Sequence, residues 1–305
     1  MIKTDLHVHS KFSNDGELGV QDIVQKCVEN SIITLSITDH NSVRATKEAV
    51  TCCALSGITY IPGIEIDCTY EDTDLHLLGY HVDWKSKEFA TLEEVIEKRI
   101  LDAIPQMISN LSKEGIHINV DEVFEKSDGK PPSAELFAEV LLGKKEMQSN
   151  EKLKPYMKGG ARSDMPYINF YLDFFAQGKP AYVKVEKMSF NAAINMVLNH
   201  GGIPIIAHPG LNLKGKEEIV LELLEQGARG WEVFNNYHDQ KQMEYLARIA
   251  VERGALMTCG SDFHGKNKPL IDIGKFAIMD QHLPYLTRSI AAIEEYSSSH
   301  NKQIP

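Results

Sequence analysis

The chain has 305 residues, of which 43% are hydrophobic and 25% charged, enough for one large hydrophobic core and a smaller additional unit. Its formal net charge of −11 argues against a protein that binds long nucleic acid through broad electrostatic attraction. No apolar stretch is long enough to span a membrane, and the N-terminus lacks a basic and then apolar leader, so we expect a cytoplasmic protein without a membrane partner. The five cysteines show no Cys-x-x-Cys spacing, which argues against a disulfide framework and against a structural zinc site.

The first predicted strand carries two histidines, His7 and His9, two residues apart. Because side chains alternate along a strand, both imidazoles lie on one face. Imidazole nitrogens suit Zn, Mn, Fe or Co, and a pair with this spacing can share one cation. The pair is a weak signal by itself, since two partly exposed strand histidines that bind nothing would look the same.

The next predicted strands also carry possible ligands. An apolar strand leads into His40, and a later one places Glu65 between two isoleucines. An ionised carboxylate among apolar side chains needs a counter-charge, either a divalent cation or a lysine or arginine. Further along, His76 and His81 fall on opposite faces of one strand, and we expect His76, which shares its face with Asp74, to be the ligand.

The last two predicted strands repeat the pattern. The apolar run 203–207 ends at His208, and the strand near Cys259 leads into Asp262 and His264. Each residue has a structural alternative, because buried histidines often bond a backbone carbonyl and strand-end aspartates often cap a helix. Their recurrence at strand ends indicates a multinuclear metallohydrolase.

Predicted helices alternate with strands at both ends of the chain, which favours a parallel sheet or barrel. The middle breaks this rhythm, because a long amphipathic helix and two short ones follow one another without a strand. We therefore divide the chain into a first barrel part (1–91), a mostly helical insertion that acts as a lid or substrate wall (92–178), and a second barrel part (179–305). The predicted helices span residues 20–30, 43–55, 92–115, 135–142, 167–175, 191–199, 217–224 and 240–253.

Seven short motifs follow one another in this order: His7-x-His9, Asp15-Gly16, Thr38-Asp39-His40, Glu65, His76 with Leu78-Gly79-Tyr80, Ala207-His208-Pro209 and Ser261-Asp262-x-His264. Their order and context resemble the polymerase and histidinol phosphatase (PHP) family from the N-terminus to residue 264. Within that family the chain is similar to the stand-alone phosphatases that cleave AMP or nucleoside 3′,5′-bisphosphates, some of which also trim RNA from its 5′ end.

The resemblance implies a distorted seven-stranded β/α barrel with three divalent metal ions (Mn, Zn or Fe) at the C-terminal mouth of its strands. The loop after His9 is one residue longer than the family pattern. Asp15 is the natural match for the family's aspartate, because Gly16 permits a tight turn, and Asn14 is a poorer, neutral substitute. The implied metal groups are His7, His9, Glu65 and Asp262; Asp15, His40 and His264; and Glu65, His76 and His208.

The resemblance further implies hydrolysis of a small phosphomonoester, a nucleotide, by a metal-activated water. Asp262, His208 and His264 are the expected catalytic residues. Lys179 lies in a Gly-Lys-Pro segment like one that contacts phosphate in the related phosphatases. Those enzymes carry an arginine in the insertion that residues 132–136 of this chain lack, so Arg162 is the candidate replacement. For both cations, a solvated surface position is the alternative.

Three other functions stay open at the level of the sequence. The same metals could act on histidinol phosphate or on the 5′ end of an oligonucleotide. An amidohydrolase would cleave a carbon–nitrogen or carbon–oxygen bond with similar metals, although no lysine stands out as a carboxylated bridging ligand. A non-catalytic metal-binding module is the third, and such a module should lack some of the nine ligands.

Overall fold

The computed structural model describes residues 3–300, and within them nine strands form two sheets. The strands are β1 (Thr4–Val8), β2 (Thr34–Ile37), β3 (Thr59–Tyr60), β4 (Gly63–Tyr70), β5 (Thr73–Tyr80), β6 (Met188–Ser189), β7 (Ile203–Ile206), β8 (Gly230–Phe234) and β9 (Leu256–Cys259). The first sheet has the order β1-β2-β3 and is parallel. The second has the order β6-β4-β5-β7-β8-β9 and is mixed, because β5 runs antiparallel to both of its neighbours.

The fold is therefore mixed α/β, and the strands of residues 3–300 lie in two sheets, so the distorted seven-stranded barrel that the resemblance implies stays a prediction. The two sheets are joined at isolated bridges, Val8 to Phe263 and His40 to Glu65. The second sheet is mixed because of the hairpin between β4 and β5, whose two-residue turn includes Glu71 in the left-handed conformation (φ 51°) and reverses the chain direction inside that sheet. Both bridges lie beside candidate site residues, so the junction of the sheets coincides with the site.

Each of the eight predicted helices corresponds to a described helix, in the same order along the chain. The described helices are α1 (Val20–Glu29), α2 (Thr46–Leu55), α3 (Lys87–Lys113), α4 (Val120–Lys126), α5 (Ala134–Leu142), α6 (Pro166–Phe170), α7 (Phe190–Asn199), α8 (Pro209–Asn212), α9 (Ile219–Glu225), α10 (Gln240–Arg253) and α11 (Leu283–His300). Helix α10 matches its predicted bounds, and the predicted helix 167–175 is α6 continued by a π-helical turn. Helices α4, α8 and α11 were not predicted.

Helix α3 begins five residues before its predicted start, because the side chain of Ser86 accepts a hydrogen bond from the backbone N–H of Glu88 and caps the helix. Its first turns pack into the large core through Phe89, whereas its second half packs into the core of the insertion through Leu111. The predicted boundary at residue 92 thus falls inside one continuous helix. No described helix combines the length and apolarity that a membrane crossing requires.

Three hydrophobic cores hold these layers together. The largest lies between the second sheet and its helices and includes Trp231, and the second packs α1 and α2 against the first sheet around Leu35. The third lies within the insertion and contains Phe137 and Phe170, so the insertion has buried apolar contacts of its own. The C-terminal helix α11 closes the large core through Leu286.

Candidate metal centre and substrate cavity

All nine predicted metal ligands meet where the two sheets join, and they fall into overlapping groups whose ligand atoms lie within 4.8 Å of one another. Strand β1 carries His7 and presents His9 just beyond its end, whereas β4 and β5 supply Glu65 and His76. The others follow strands or lie in a loop: His40 after β2, His208 after β7, Asp262 and His264 after β9, and Asp15 between β1 and α1.

The most buried group contains His7, His9, Glu65 and Asp262. The Nε2 atoms of the two histidines lie 3.3 and 3.1 Å from Glu65 Oε2, and the same distances separate them from Asp262 Oδ1. Ligands around one cation at about 2.0–2.2 Å are roughly 3.3 Å apart in a tetrahedral arrangement. The four atoms are therefore spaced as the ligands of a single cation are.

Two further groups adjoin the first. His264 Nε2 and His40 Nε2 lie 3.1 and 3.7 Å from Asp15 Oδ2. On the other side, Glu65 Oε1 lies 3.0 Å from His76 Nδ1 and 3.2 Å from His208 Nε2. The two carboxylate oxygens of Glu65 thus contact different imidazoles: Oε2 lies near His7 and His9, and Oε1 lies near His76 and His208.

The donor chemistry of these groups fits divalent cations. Three buried atoms of the candidate ligands, His40 Nδ1, Glu65 Oε2 and His264 Nε2, have no hydrogen-bond partner among the described residues. Such orphaned polar atoms are costly unless a cation or another charge compensates them. Within residues 3–300 no lysine or arginine pairs with Glu65, and its partners are the imidazoles of His7, His9, His40, His76 and His208.

The electrostatic surroundings of Glu65 favour its ionised form. Burial alone would raise its pKa, but the imidazoles of His7, His40 and His76 outweigh burial and place the pKa of Glu65 well below its usual range. No lysine or arginine of residues 3–300 provides the counter-charge that the sequence required for Glu65, and a divalent cation is the other candidate.

The backbone is strained at two of the nine ligands. His208 (φ 25°) and Asp262 (φ 57°) both have positive φ angles, although neither is glycine. Conformations of this kind cost about 1–3 kcal/mol each and persist where the surroundings impose them. At Asp262 the surroundings are the main chain of β1, because the Asp262 N–H donates to His7 O at 2.8 Å.

The loop that carries Asp15 shows why Gly16 is needed, and the reason differs from the prediction. Gly16 has no positive φ angle, but a Cβ atom there would lie 2.0 Å from the carbonyl oxygen of Ser10. The requirement is therefore close backbone approach and not a left-handed turn. Ser13 Oγ donates to Asp15 Oδ1 at 2.7 Å and so orients the carboxylate.

Of the two histidines on or just after β5, His76 lies in the site, as we expected from the alternation of side chains. His81 instead lies on the far side, where its Nε2 is 2.7 Å from the carbonyl oxygen of Ile293 in α11. Both of the predicted phosphate-binding cations lie outside the site. Lys179 is exposed in a loop, and Arg162 forms a two-pronged ion pair with Asp173, with both N···O distances 3.0 Å.

Sequence reasoning missed two carboxylates of the site, Asp67 and Glu232. Asp67 Oδ1 lies 3.1 Å from His40 Nδ1 and 3.3 Å from His76 Nε2, and it forms a further possible metal group with these histidines. The signal was present, because Asp67 lies two residues after Glu65 and hence on the same face of β4. Glu232 is a lone acid between apolar residues of β8, the same signal that identified Glu65.

A cavity of about 580 Å³ opens above the metal-binding groups. Its floor includes Asp15, His40, Glu65, His76 and Asp262, and one wall is apolar and comes from α3 and the insertion. Three lysines also line it, namely Lys130, Lys187 and Lys268. Neither Lys179 nor Arg162 belongs to its lining.

The three lysines differ in their surroundings. Lys268 Nζ lies 2.7 Å from Asp262 Oδ2, and Lys130 Nζ donates to the carbonyl oxygens of Lys11 and Ser13. Burial opposes the charge of Lys187, but Asp67 and Asp74 outweigh it and raise its pKa to about 12, so this side chain is a cation at neutral pH.

Histidines and carboxylates that gather at strand ends, beside a cavity of substrate size, define a class of metal-binding α/β proteins. Comparison with family models identifies the family within that class. Residues 5–177 match the PHP domain, so the chain belongs to the PHP family.

Known relatives and structures extend the similarity over nearly the whole chain. A 3′,5′-nucleoside bisphosphate phosphatase from Chromobacterium violaceum is 26% identical over 293 residues, which cover 95% of each chain. A 5′-3′ exoribonuclease from Haemophilus influenzae is 28% identical over 285 residues, 88% of this chain and 96% of the relative. A structure from Chromobacterium violaceum, described as an amidohydrolase with bound sulfate and no metal, superposes with a TM-score of 0.77 at 25% identity and covers 95% of this chain and 96% of its own.

Proposed function

We propose that the protein is a metal-dependent phosphoesterase that hydrolyses a small phosphomonoester, with a nucleotide such as AMP or a nucleoside 3′,5′-bisphosphate as the substrate class. The observation that carries this proposal is the convergence of nine metal-type ligands, six of which line a cavity that also has an apolar wall and three lysines. A phosphate group suits the floor, and a nucleoside suits the wall. The activity named for the Chromobacterium violaceum relative is of the same type.

We propose three divalent cations, Mn, Zn or Fe, divided as the family resemblance implies. The spacing of the group around Glu65 Oε2 supports the first, and the contacts of Asp15 and of Glu65 Oε1 support the other two. When bound, such cations lower the pKa of a water and neutralise the charge of the phosphoryl oxygens.

The residues of the chain keep the ligand atoms free for this role. His208 Nδ1 lies 2.5 Å from Asn212 Oδ1, and His264 Nδ1 lies 2.9 Å from the carbonyl oxygen of Asp262. Both acceptors favour a proton on Nδ1, which leaves the Nε2 lone pair facing the site. We assign the catalytic roles to Asp262, His208 and His264.

Lys268 and Tyr237 hold the second oxygen of Asp262. The Lys268 Nζ is 2.7 Å from Asp262 Oδ2, and the Tyr237 hydroxyl also contacts that oxygen. As a result Oδ1 is directed toward His7 and His9. For the substrate phosphate, we propose Lys187 and Lys130, which line the cavity, in place of Lys179 and Arg162.

We propose that the insertion, residues 92–178, is the substrate wall between the two parts of a distorted barrel (1–91 and 179–305). Ile96 and Ile100 of α3 line the cavity, together with Met165, Ile168 and Tyr171 of the insertion. These side chains provide the apolar and aromatic surface that a nucleobase can contact.

A second candidate substrate is the 5′ end of an RNA strand. It is favoured by the 28% identity to the exoribonuclease of Haemophilus influenzae and by a cavity large enough for more than the phosphate and sugar of one nucleotide. The chemistry at phosphorus would be the same on either substrate, so only the substrate test separates them.

The test is phosphate release from AMP, a nucleoside 3′,5′-bisphosphate and histidinol phosphate, with nucleotide release from a 5′-phosphorylated RNA, all with added Mn²⁺. We expect turnover of one nucleotide substrate and its loss in Asp262→Ala. Asp272→Ala is the matched control, because Asp272 pairs with Lys26 on the surface and should leave turnover intact. Failure of every substrate with a metal-loaded protein would refute the proposal and favour hydrolysis of a carbon–nitrogen or carbon–oxygen bond.

A further inference from the structure

Glu232 is a fully buried carboxylate that contacts two of the candidate metal ligands. It lies in β8 between Trp231 and Val233 and has 0% exposure. Its Oε1 is 3.3 Å from His7 Nδ1. Its Oε2 accepts hydrogen bonds from the backbone N–H of His208 at 3.0 Å and from Asn235 Nδ2 at 3.2 Å. Both oxygens thus face donors, and no lysine or arginine of residues 3–300 pairs with them.

The contact with His7 determines which ring nitrogen faces the metal group. His7 directs Nδ1 to Glu232 and Nε2 to Glu65 Oε2 and Asp262 Oδ1, both at 3.3 Å. A neutral imidazole carries its proton on one nitrogen only, so a carboxylate beside Nδ1 selects the tautomer whose Nε2 lone pair is free. Carboxylates placed behind a metal-binding histidine in this way orient the ring and raise its basicity.

The contact with His208 acts on the backbone. His208 has a φ angle of 25°, which its neighbours must impose, and Glu232 holds its N–H. With the main chain held there, His208 Nε2 lies 3.2 Å from Glu65 Oε1. One carboxylate therefore fixes a side chain in one group and a main-chain turn in the adjoining group.

The packing leaves little freedom for this arrangement to relax. A Cβ atom at Gly260 would lie 2.2 Å from the Cβ of His7 and 2.8 Å from Glu232 Oε1. The backbone at Gly260 therefore lies in close contact with both side chains and leaves them little room to move apart.

We propose that Glu232 is a positioning residue of the metal centre, which selects the Nδ1–H tautomer of His7 and fixes the turn at His208 so that both Nε2 atoms face the cations. This inference rests on the proposed metal ligation. It concerns a residue outside the ligand groups, because Glu232 reaches the cations only through His7 and His208.

The test compares Glu232→Gln with wild type and with Glu135→Gln. The control is matched, because Glu135 is also a buried glutamate and, although it is near enough to Asp15 to interact with its charge, no hydrogen bond or ion pair joins it to His7 or His208 in the described structure. Each Zn²⁺-loaded protein is dialysed against a graded series of chelator, and bound zinc per chain is measured by mass spectrometry. We expect Glu232→Gln to release the cations of the His7 and His208 groups at chelator concentrations about 10–100-fold lower than wild type requires. The cation held by Asp15, His40 and His264 should be released at the wild-type concentration. Glu135→Gln should follow wild type.

Release curves of Glu232→Gln that superpose on wild type would overturn the inference, as would an equal shift for every cation. A wild-type protein that binds no divalent cation would overturn the metal centre itself, and that outcome is seen before any variant is compared. Because Glu232→Gln could fail to fold, circular dichroism and thermal melting of each apoprotein accompany the titration.

A second measurement needs no variant. In Zn²⁺-loaded wild type with ¹⁵N-labelled histidine, NMR should show His7 protonated at Nδ1, with a proton protected from exchange. Protonation of His7 at Nε2 would refute the role of Glu232. Where Glu232→Gln folds, this proton should shift or exchange faster, which loss of packing alone would not produce at a single ring nitrogen.

Discussion

The candidate metal ligands form a closed half and an open half, and the two differ in their access to the cavity. The side chains of His7, His9, Glu65 and Asp262 are at most 4% exposed. Those of His40, Asp67 and His76 are 15%, 19% and 23% exposed and line the cavity. The closed half is supported from behind by a buried glutamate and by strained backbone, whereas the open half faces the space where substrate would lie. We therefore expect the closed half to maintain the geometry of the site and the open half to contact the substrate.

The strongest test of this division is Glu65→Gln. Glu65 belongs to the closed half but contacts imidazoles of both halves, so an amide in its place should weaken cation binding throughout the centre. We expect turnover to fall by about a thousandfold or more, since several kcal/mol of charge stabilisation depend on the cations. The measurement is the phosphate-release assay with zinc content determined on the same samples. Unchanged zinc content with unchanged turnover would show that Glu65 is not a ligand.

The two halves should also differ in the rate at which they lose metal. With a chelating dye in excess, we expect release in at least two phases, separated by about tenfold or more, because a buried group must open before its cation leaves. The fast phase should belong to the open half, and saturating inorganic phosphate should slow that phase alone. A single phase, or a slow phase that phosphate protects, would remove the distinction between the halves.

The smallest effects concern the cavity wall beside the open half. Lys187→Ala should raise KM about tenfold, because one charge-assisted contact to phosphate is lost, and should change kcat less. Lys179→Ala is the matched control, since Lys179 is exposed outside the cavity lining. The reverse pattern, with KM raised by Lys179→Ala alone, would restore the assignment made from the Gly-Lys-Pro segment.

The contacts of each site residue explain which of them the sequence could predict. His7, His9, His208 and Asp262 were identifiable because strand alternation and strand ends determine where their side chains lie. The same rules pointed to Asp67 and Glu232, but the contacts that give those two a role join strands distant in the sequence. No local pattern reports which strands become neighbours.

Two other features were beyond local patterns for the same reason. The antiparallel position of β5 depends on the two-residue turn after Tyr70, which the alternation of strands and helices conceals. The position of Arg162 depends on Asp173, eleven residues away, because the guanidinium forms an ion pair with this carboxylate. Motif position alone pointed to Lys179 as the phosphate-binding lysine, whereas in the fold Lys187 lines the cavity and Lys179 does not.

The bridge between Val8 and Phe263 joins the two most distant parts of the site, and it has a consequence for synthesis. The buried group needs His7 from the start of the chain and Asp262 from near its end, 255 residues later. On the ribosome, a nascent chain cannot complete this group until Asp262 has been synthesised and released from the exit tunnel, and closing so long a loop is slow. Stable uptake of metal in the closed half should therefore coincide with the last stage of folding, so a translating cell would make little active enzyme from prematurely terminated chains.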